Sequence, residues 1–127
     1  MREIKFRCWD KGRNCWLNEM DTYQQVVNQA RWNPEAGEYY VLMQYTGLHD
    51  KNGKLIYEGD IVKYKIPVHY DEQEKKEVIK KVRYTGGAFF PVLFMEYEFH
   101  DFDDKPLTIT DVEIIGNIYE NPELLER

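Results

Sequence analysis

The sequence contains no serine, which excludes a serine nucleophile outright. Its only cysteines are Cys8 and Cys15, and its three histidines lie far from them along the chain. Two cysteines make no disulfide framework, and they cannot complete a zinc site without two nearby histidines. In a reducing compartment the expectation is two free thiols in packed positions, with a redox pair as the alternative. No apolar run reaches the roughly 18 residues of a membrane-spanning helix. Met1–Phe6 carries charge where a signal peptide needs an apolar core, so the expected location is the cytoplasm, with no membrane partner. A glycine-rich phosphate cradle is also missing, because Thr85-Gly86-Gly87 has neither the length nor the lysine of such loops. A Cys–His pair would need Cys8 or Cys15 to meet a distant histidine. Carboxylates abound, but abundance is not placement. The expectation is no catalytic residue, no metal and no cofactor.

What is present points to a folded domain. The chain has 127 residues, enough for one domain with a core of its own. Hydrophobic residues make up 43% and aromatics 15%, so burial can offset chain entropy. Ten tyrosines and six phenylalanines favour strands, where aromatics pack on a pleated face. The formal net charge of −6 repels phosphate unless a basic face is segregated from the rest.

Hydropathy patterning divides the chain into short strands. Residues 2–9 alternate, with Ile4, Phe6 and Cys8 on one face and Glu3, Lys5 and Arg7 on the other, which predicts a strand with one buried face. Turn formers at 10–14 and the apolar Cys15-Trp16-Leu17 complete a β-hairpin. Tyr23, Val26, Val27 and Ala30 fall at helical spacing, with Asp21 as cap and Gln24 reaching back; a strand through Val26 and Val27 competes. A loop over 33–38 precedes a strand over 38–44. Asn52-Gly53 predicts a tight turn, Leu55–Tyr57 a short extended piece, and Glu58-Gly59-Asp60 another turn. From Ile61, the residues Val62, Tyr64, Ile66, Val68 and Tyr70 share one strand face, with Pro67 marking an edge or bulge. Asp71–Lys76 reads as a solvated loop, and Val78, Val82 and Tyr84 as one face of the next strand. Ala88–Phe99 is the most apolar run and predicts a strand covered on both sides. An acidic loop at His100–Pro106, a short strand at Leu107–Ile109, a last strand through Val112–Ile118 and a helical turn at Asn121-Pro122 follow, with Leu124 and Leu125 pinning that turn.

Several clusters carry both a chemical and a structural reading. Glu58 and Asp60 in Tyr57–Val62 are either a displayed carboxylate pair or a turn in which Asp60 bonds its own backbone and Gly59 supplies a permissive angle. Asp50-Lys51-Asn52-Gly53 begins like a calcium loop but has no closing glutamate, so a turn is expected. His100, Asp101, Asp103 and Asp104 suit a hard cation or a solvated loop. Lys75, Lys76, Lys80, Lys81 and Arg83, with Tyr70 and Tyr84 for stacking, suit single-stranded nucleic acid, although Glu72, Glu74 and Glu77 dilute the charge. Trp9, Trp16 and Trp32 are interface anchors or core fillers.

Three segments together resemble the YopX family of phage and prophage proteins. They are Met1–Arg7 with Trp9-Asp10, then Met43–Leu48 through Asp50–Gly53 to Ile56–Val62, and last Ile115–Pro122. The resemblance implies an SH3-like β-barrel in the C-terminal part, in agreement with the strand pattern, and a homo-oligomer in a bacterial host cell. It brings no activity or catalytic residue, and residues 19–38 and 66–107 match no familiar pattern. The expected fold is mainly β with little helix: an N-terminal hairpin part (1–44) and an SH3-like small barrel part (45–127) in one unit. The leading functional expectation is a non-enzymatic homo-oligomer assembled through the apolar strand (Phe90, Phe94) and the Trp9/Trp16 hairpin, presenting an acidic surface to a phage or host protein. The alternative is a nucleic-acid-binding accessory factor using Lys80, Lys81 and Arg83. A third reading is a metal-dependent hydrolase at His100–Asp104.

Overall fold

The structure, a computed structural model, describes residues 3–31, 39–68, 71–96 and 109–125. The expectations for Trp32, the 33–38 loop, Tyr70, the His100–Asp104 cluster and the strand at Leu107–Thr108 lie outside these residues. The described chain is mainly β. β1 (Phe6–Asp10), β2 (Cys15–Trp16), β3 (Tyr40–His49) and β4 (Leu55–Tyr57) form an antiparallel sheet in the order β2-β1-β3-β4. β5 (Asp60–Val68), β6 (Asp71–Lys81) and β9 (Thr110–Asn117) form a second, in the order β6-β5-β9. β7 (Arg83–Thr85) and β8 (Ala88–Phe90) make a two-stranded ribbon. Together they curl into an open half-barrel.

The predicted hairpin is β1–β2, with the Asp10 carboxylate accepting the Gly12 and Arg13 N–H groups to close its turn. The one-sided burial expected of β1 does not hold. Ile4 precedes the strand and is 73% exposed, while the neighbours Cys8 and Trp9 are both buried. Neighbours on a strand point to opposite faces, so both faces of β1 are covered. Tyr119 stacks on Trp9 on one of them, and the helix α1 (Glu19–Arg31) packs against β1 and β3.

The helical reading of this segment is the right one, but its cap and its buried face differ from expectation. Asn18, not Asp21, is the cap: its side-chain oxygen accepts the Asp21 N–H at 2.8 Å and its carbonyl accepts the Thr22 N–H. Glu19 and Asp21 then fall in the first turn, where the helix dipole favours them. The helix seats through Thr22, which is buried, Val26, and Gln29, which donates to the Tyr40 carbonyl. Tyr23 and Val27, expected inside, are exposed, as is Met20 at 82%.

β5 follows the predicted alternation, with Val62 and Tyr64 buried and Ile66 packed on the same core. Asp71–Lys76, read as a loop, is the first half of β6, pairing Ile66 with Lys76 and Pro67 with Lys75. Lys75 and Lys76 are exposed on this strand, and a run of charged residues looks like a loop in the sequence. The register shifts beside Pro67, where a bulge was expected. The long apolar strand over 88–99 is not formed. β8 stops at Phe90, because Pro91 cannot donate to a ladder; the Phe90–Pro91 peptide is cis, and a one-turn helix α2 (Leu93–Glu96) follows. Phe89 and Val92 join Ile56, Val62, Tyr64, Val82, Ile109 and Val112 in the main core. The last turn is a 3-10 helix, Pro122–Leu125, with Leu124 half-buried and Leu125 exposed.

Candidate functional site

Two places concentrate chemistry, and they differ in whether their polar groups are already engaged. The first is a cleft of about 550 Å³ between the outer edges of the two sheets, β4 and β9. Arg7 lies in it, over the Trp16 ring at 4.5 Å and the Tyr57 ring at 4.9 Å. Its Nη2 pairs with the Asp60 carboxylate at 2.8 Å and donates to the Glu58 carbonyl at 3.3 Å. Asp60 is 2% exposed, and its second oxygen accepts the Tyr57 N–H. Burial raises the Asp60 pKa, and the Arg7 cation works against that rise. Asp60 is therefore a buried turn residue, not one member of a displayed carboxylate pair. Gly59 stands at φ +88°, and a Cβ there would meet Met43 Sδ at 2.8 Å, so the close approach of β3 to this turn requires glycine.

The far wall of the cleft is equally occupied. The Trp16 indole N–H and the Asn117 amide both donate to Glu120, and these two bonds hold its pKa below the usual value. Asn117 Oδ1 accepts the Tyr119 and Glu120 N–H groups, and the Asn121 side chain accepts from Asn117 N. Asn121 thus faces back toward β9, not forward as a helix cap. The Asp50 carboxylate accepts backbone N–H groups from Asn52 and from Lys54 and Ile114, two residues that line the cleft. Burial pushes its pKa up, but those three donors together with the Lys54 charge outweigh it and the net shift is downward. The Asp50–Gly53 turn is a brace between β4 and β9, and the Arg7 cluster is a tie between the sheets. Sequence reading placed Arg7 on a solvent face; nothing local in the sequence signals its pairing with Asp60.

The second place lies between the β5–β6 hairpin and the β7–β8 ribbon. It is a pocket of about 360 Å³ lined by Tyr64, Lys80, Lys81, Arg83, Phe90 and Pro91. Lys80 and Lys81 end β6, opposite Val62 and Ile61, while Arg83 pairs with Phe90 across the ribbon. The Arg83 guanidinium stands over the Phe90 ring at 5.7 Å. Among the described residues Lys80, Lys81 and Arg83 make no ion pair, in contrast to Lys51 with Glu113 and Lys65 with Asp111. No carboxylate of the described residues lines this pocket. Tyr84, half-exposed beside it, rests on Phe89 at 4.9 Å.

Of the residues singled out from sequence, Lys80, Lys81, Arg83 and Phe90 converge on this pocket; Tyr64 and Pro91, its other walls, were missed. Trp9 and Trp16 go elsewhere, meeting edge to face at 4.9 Å, with Trp9 buried against Tyr119. The Phe94 side chain lies outside what the structure describes. Cys8 and Cys15 are both free, but only Cys8 is packed as expected; Cys15, at the start of the two-residue β2, is exposed, whereas the buried Cys8 thiol is pushed up to about 11 by burial and then by the Asp10 charge. Among the described residues no group of three metal-ligating side chains comes together, and no helix is long and apolar enough to cross a membrane.

These features define a mainly-β half-barrel whose two sheets are tied by an arginine–aromatic cluster. The model of the YopX protein family matches residues 5–126, and the chain belongs to that family. Among solved structures it is similar to protein EF1440 from Enterococcus faecalis, with 28% identity over 98% of this chain and 99% of that one, at a TM-score of 0.56. No curated protein matches it. The three segments that carried the resemblance meet at one place: Arg7 from the first, Tyr57 and Asp60 from the second, and Gly116, Asn117 and Glu120 from the third all line the Arg7 cleft.

Proposed function

We propose that this protein is a non-catalytic, nucleic-acid-binding accessory factor that holds phosphate through Lys80, Lys81 and Arg83. The observation that carries the reading is the convergence on one apolar-walled pocket of three cations that make no ion pair among the described residues, in a chain of net charge −6. Segregating positive charge in this way lets an acidic protein approach a polyanion in one orientation only. The larger Arg7 cleft is the weaker candidate, because its polar groups are spent on one another. Binding is tested by fluorescence anisotropy of a labelled oligonucleotide across a salt series. Three phosphate contacts give a slope of log affinity against log salt of about −2. The triple variant K80E/K81E/R83E abolishes binding while its melting temperature stays near that of the parent. No binding at low salt refutes the reading.

A second reading is self-association, and it now rests on α1 instead of the 88–99 segment. Met20, Tyr23 and Val27 stand at helical spacing on the outward side of α1, all exposed. Light scattering on a sizing column gives a multimer that Met20→Lys with Tyr23→Lys reduces to the monomer mass. A monomeric parent protein rules this second reading out.

A further inference from the structure

We infer that the pocket between the β5–β6 hairpin and the β7–β8 ribbon takes one unstacked nucleobase, so that the protein selects single strands over duplex. This rests on the nucleic-acid reading and deepens it. Phosphate alone needs cations on an open surface; it does not need walls. Here the three cations surround a concavity whose other described walls are Tyr64, Phe90 and Pro91. Its volume, about 360 Å³, is at the small end of ligand pockets, fitting one planar ring system and its sugar.

The placement of charge and wall suits a nucleotide, which is a flat apolar face joined to an anion. Lys80 and Lys81 are exposed at the end of β6 and reach phosphate there. Tyr64 is buried, so its ring can form only the floor. Phe90 is half-buried at the end of β8, cross-strand from Arg83, and the pair offers an aromatic and a guanidinium for stacking.

A duplex keeps its bases stacked and presents only their edges, so it cannot enter such a pocket without unpairing. A single strand can splay one base out and stack it on an aromatic or guanidinium plane. Charge density works in the other direction, because duplex carries more phosphate per unit length and draws cations more strongly. A preference for single strands would therefore come from the base.

The test compares three probes of equal length at low salt: a thymidine strand, a strand of abasic sites, and a duplex. The thymidine strand binds about tenfold tighter than the other two, which is the scale of one stacked base. Phe90→Ala removes that margin and leaves the abasic and duplex affinities where they were. Phe90→Leu, which keeps an apolar side chain and loses only the ring, does the same, so a folding defect in the alanine variant does not hide the answer. If the abasic strand or the duplex binds as tightly as the thymidine strand, the base pocket is overturned and the phosphate reading stands. If none of the probes binds, both fall.

Discussion

At the scale of single residues, Arg7 ties the two sheets through Asp60, the Glu58 carbonyl and two aromatic rings. Removing one partner of a buried ion pair leaves the other charge without compensation, at a cost of about 3–5 kcal/mol. Arg7→Met is expected to lose stability on that scale in urea unfolding, and Arg7→Met with Asp60→Asn to recover part of it. The pH dependence has a definite sign. The Asp60 carboxyl, ordinarily at 3.8, is raised in the folded state. A raised acid contributes its full stability below the unfolded value and loses it as pH climbs through the folded value. Arg7→Met raises Asp60 further, so the variant's deficit grows from acid to neutral pH; a deficit equal at both ends contradicts this account. The two thiols separate in a similar way. Cys15 is exposed, whereas Cys8 is fully buried with its pKa near 11. The thiolate is the reactive form. A thiol reagent titrates one cysteine quickly in the native protein and the second only on unfolding. Two fast equivalents would mean that β1 opens readily.

At the scale of elements, the cap of α1 is separable from the rest. Asn18→Ala loses the acceptor for the Asp21 N–H and about 1 kcal/mol of stability, and Asn18→Asp retains it. Thermal melts of the two variants check this, and equal melting temperatures would move the cap elsewhere. The same helix shows where sequence reading stops. Its period was legible, because Tyr23, Val26 and Val27 recur at helical spacing. Its orientation was not, because the helix is seated by polar residues, Thr22, whose hydroxyl donates to the Asn18 carbonyl, and Gln29, which donates to the Tyr40 carbonyl, and it leaves Tyr23 and Val27 outside. β5 was legible because Val62, Tyr64 and Ile66 on one face meet the core while Lys63 and Lys65 alternate with them, although Ile61 at the start of the strand is buried as well. The 71–76 stretch was not, since its run of charged and polar residues carries no apolar alternation in the sequence. The apolar segment from Ala88 was read as one strand because its hydrophobicity masked Pro91, which ends the ribbon and walls the basic pocket. Lys80, Lys81 and Arg83 were visible as a basic cluster near one another in sequence, whereas Phe90 read as part of an apolar strand for self-association and not as a wall of their pocket. Arg7 and Asp60 were not, since an ion pair between distant strands leaves no local pattern.

At the scale of the whole molecule, the question is whether the N-terminal 44 residues and the remainder unfold together. β3 runs from Tyr40 to His49 and so crosses the division between those parts. Its first half pairs with β1 and its second half with β4. The sheets are tied again where Gly59 N–H donates to the Val82 carbonyl, Ile118 N–H donates to the Gly59 carbonyl, and Arg7 meets Asp60. Opening either part would break this seam and expose Asp60 and the aromatic rings stacked around Arg7. One cooperative transition is therefore expected. The probes needed to test it are built in, because all three tryptophans, Trp9, Trp16 and Trp32, lie in the first 44 residues, while most of the strand content lies beyond them. Tryptophan fluorescence and far-ultraviolet circular dichroism followed through the same denaturant series should give one midpoint. In Arg7→Met the common midpoint moves to lower denaturant without splitting. Separate midpoints in the parent protein would show two units, with the seam at Gly59 and Asp60 too weak to couple them.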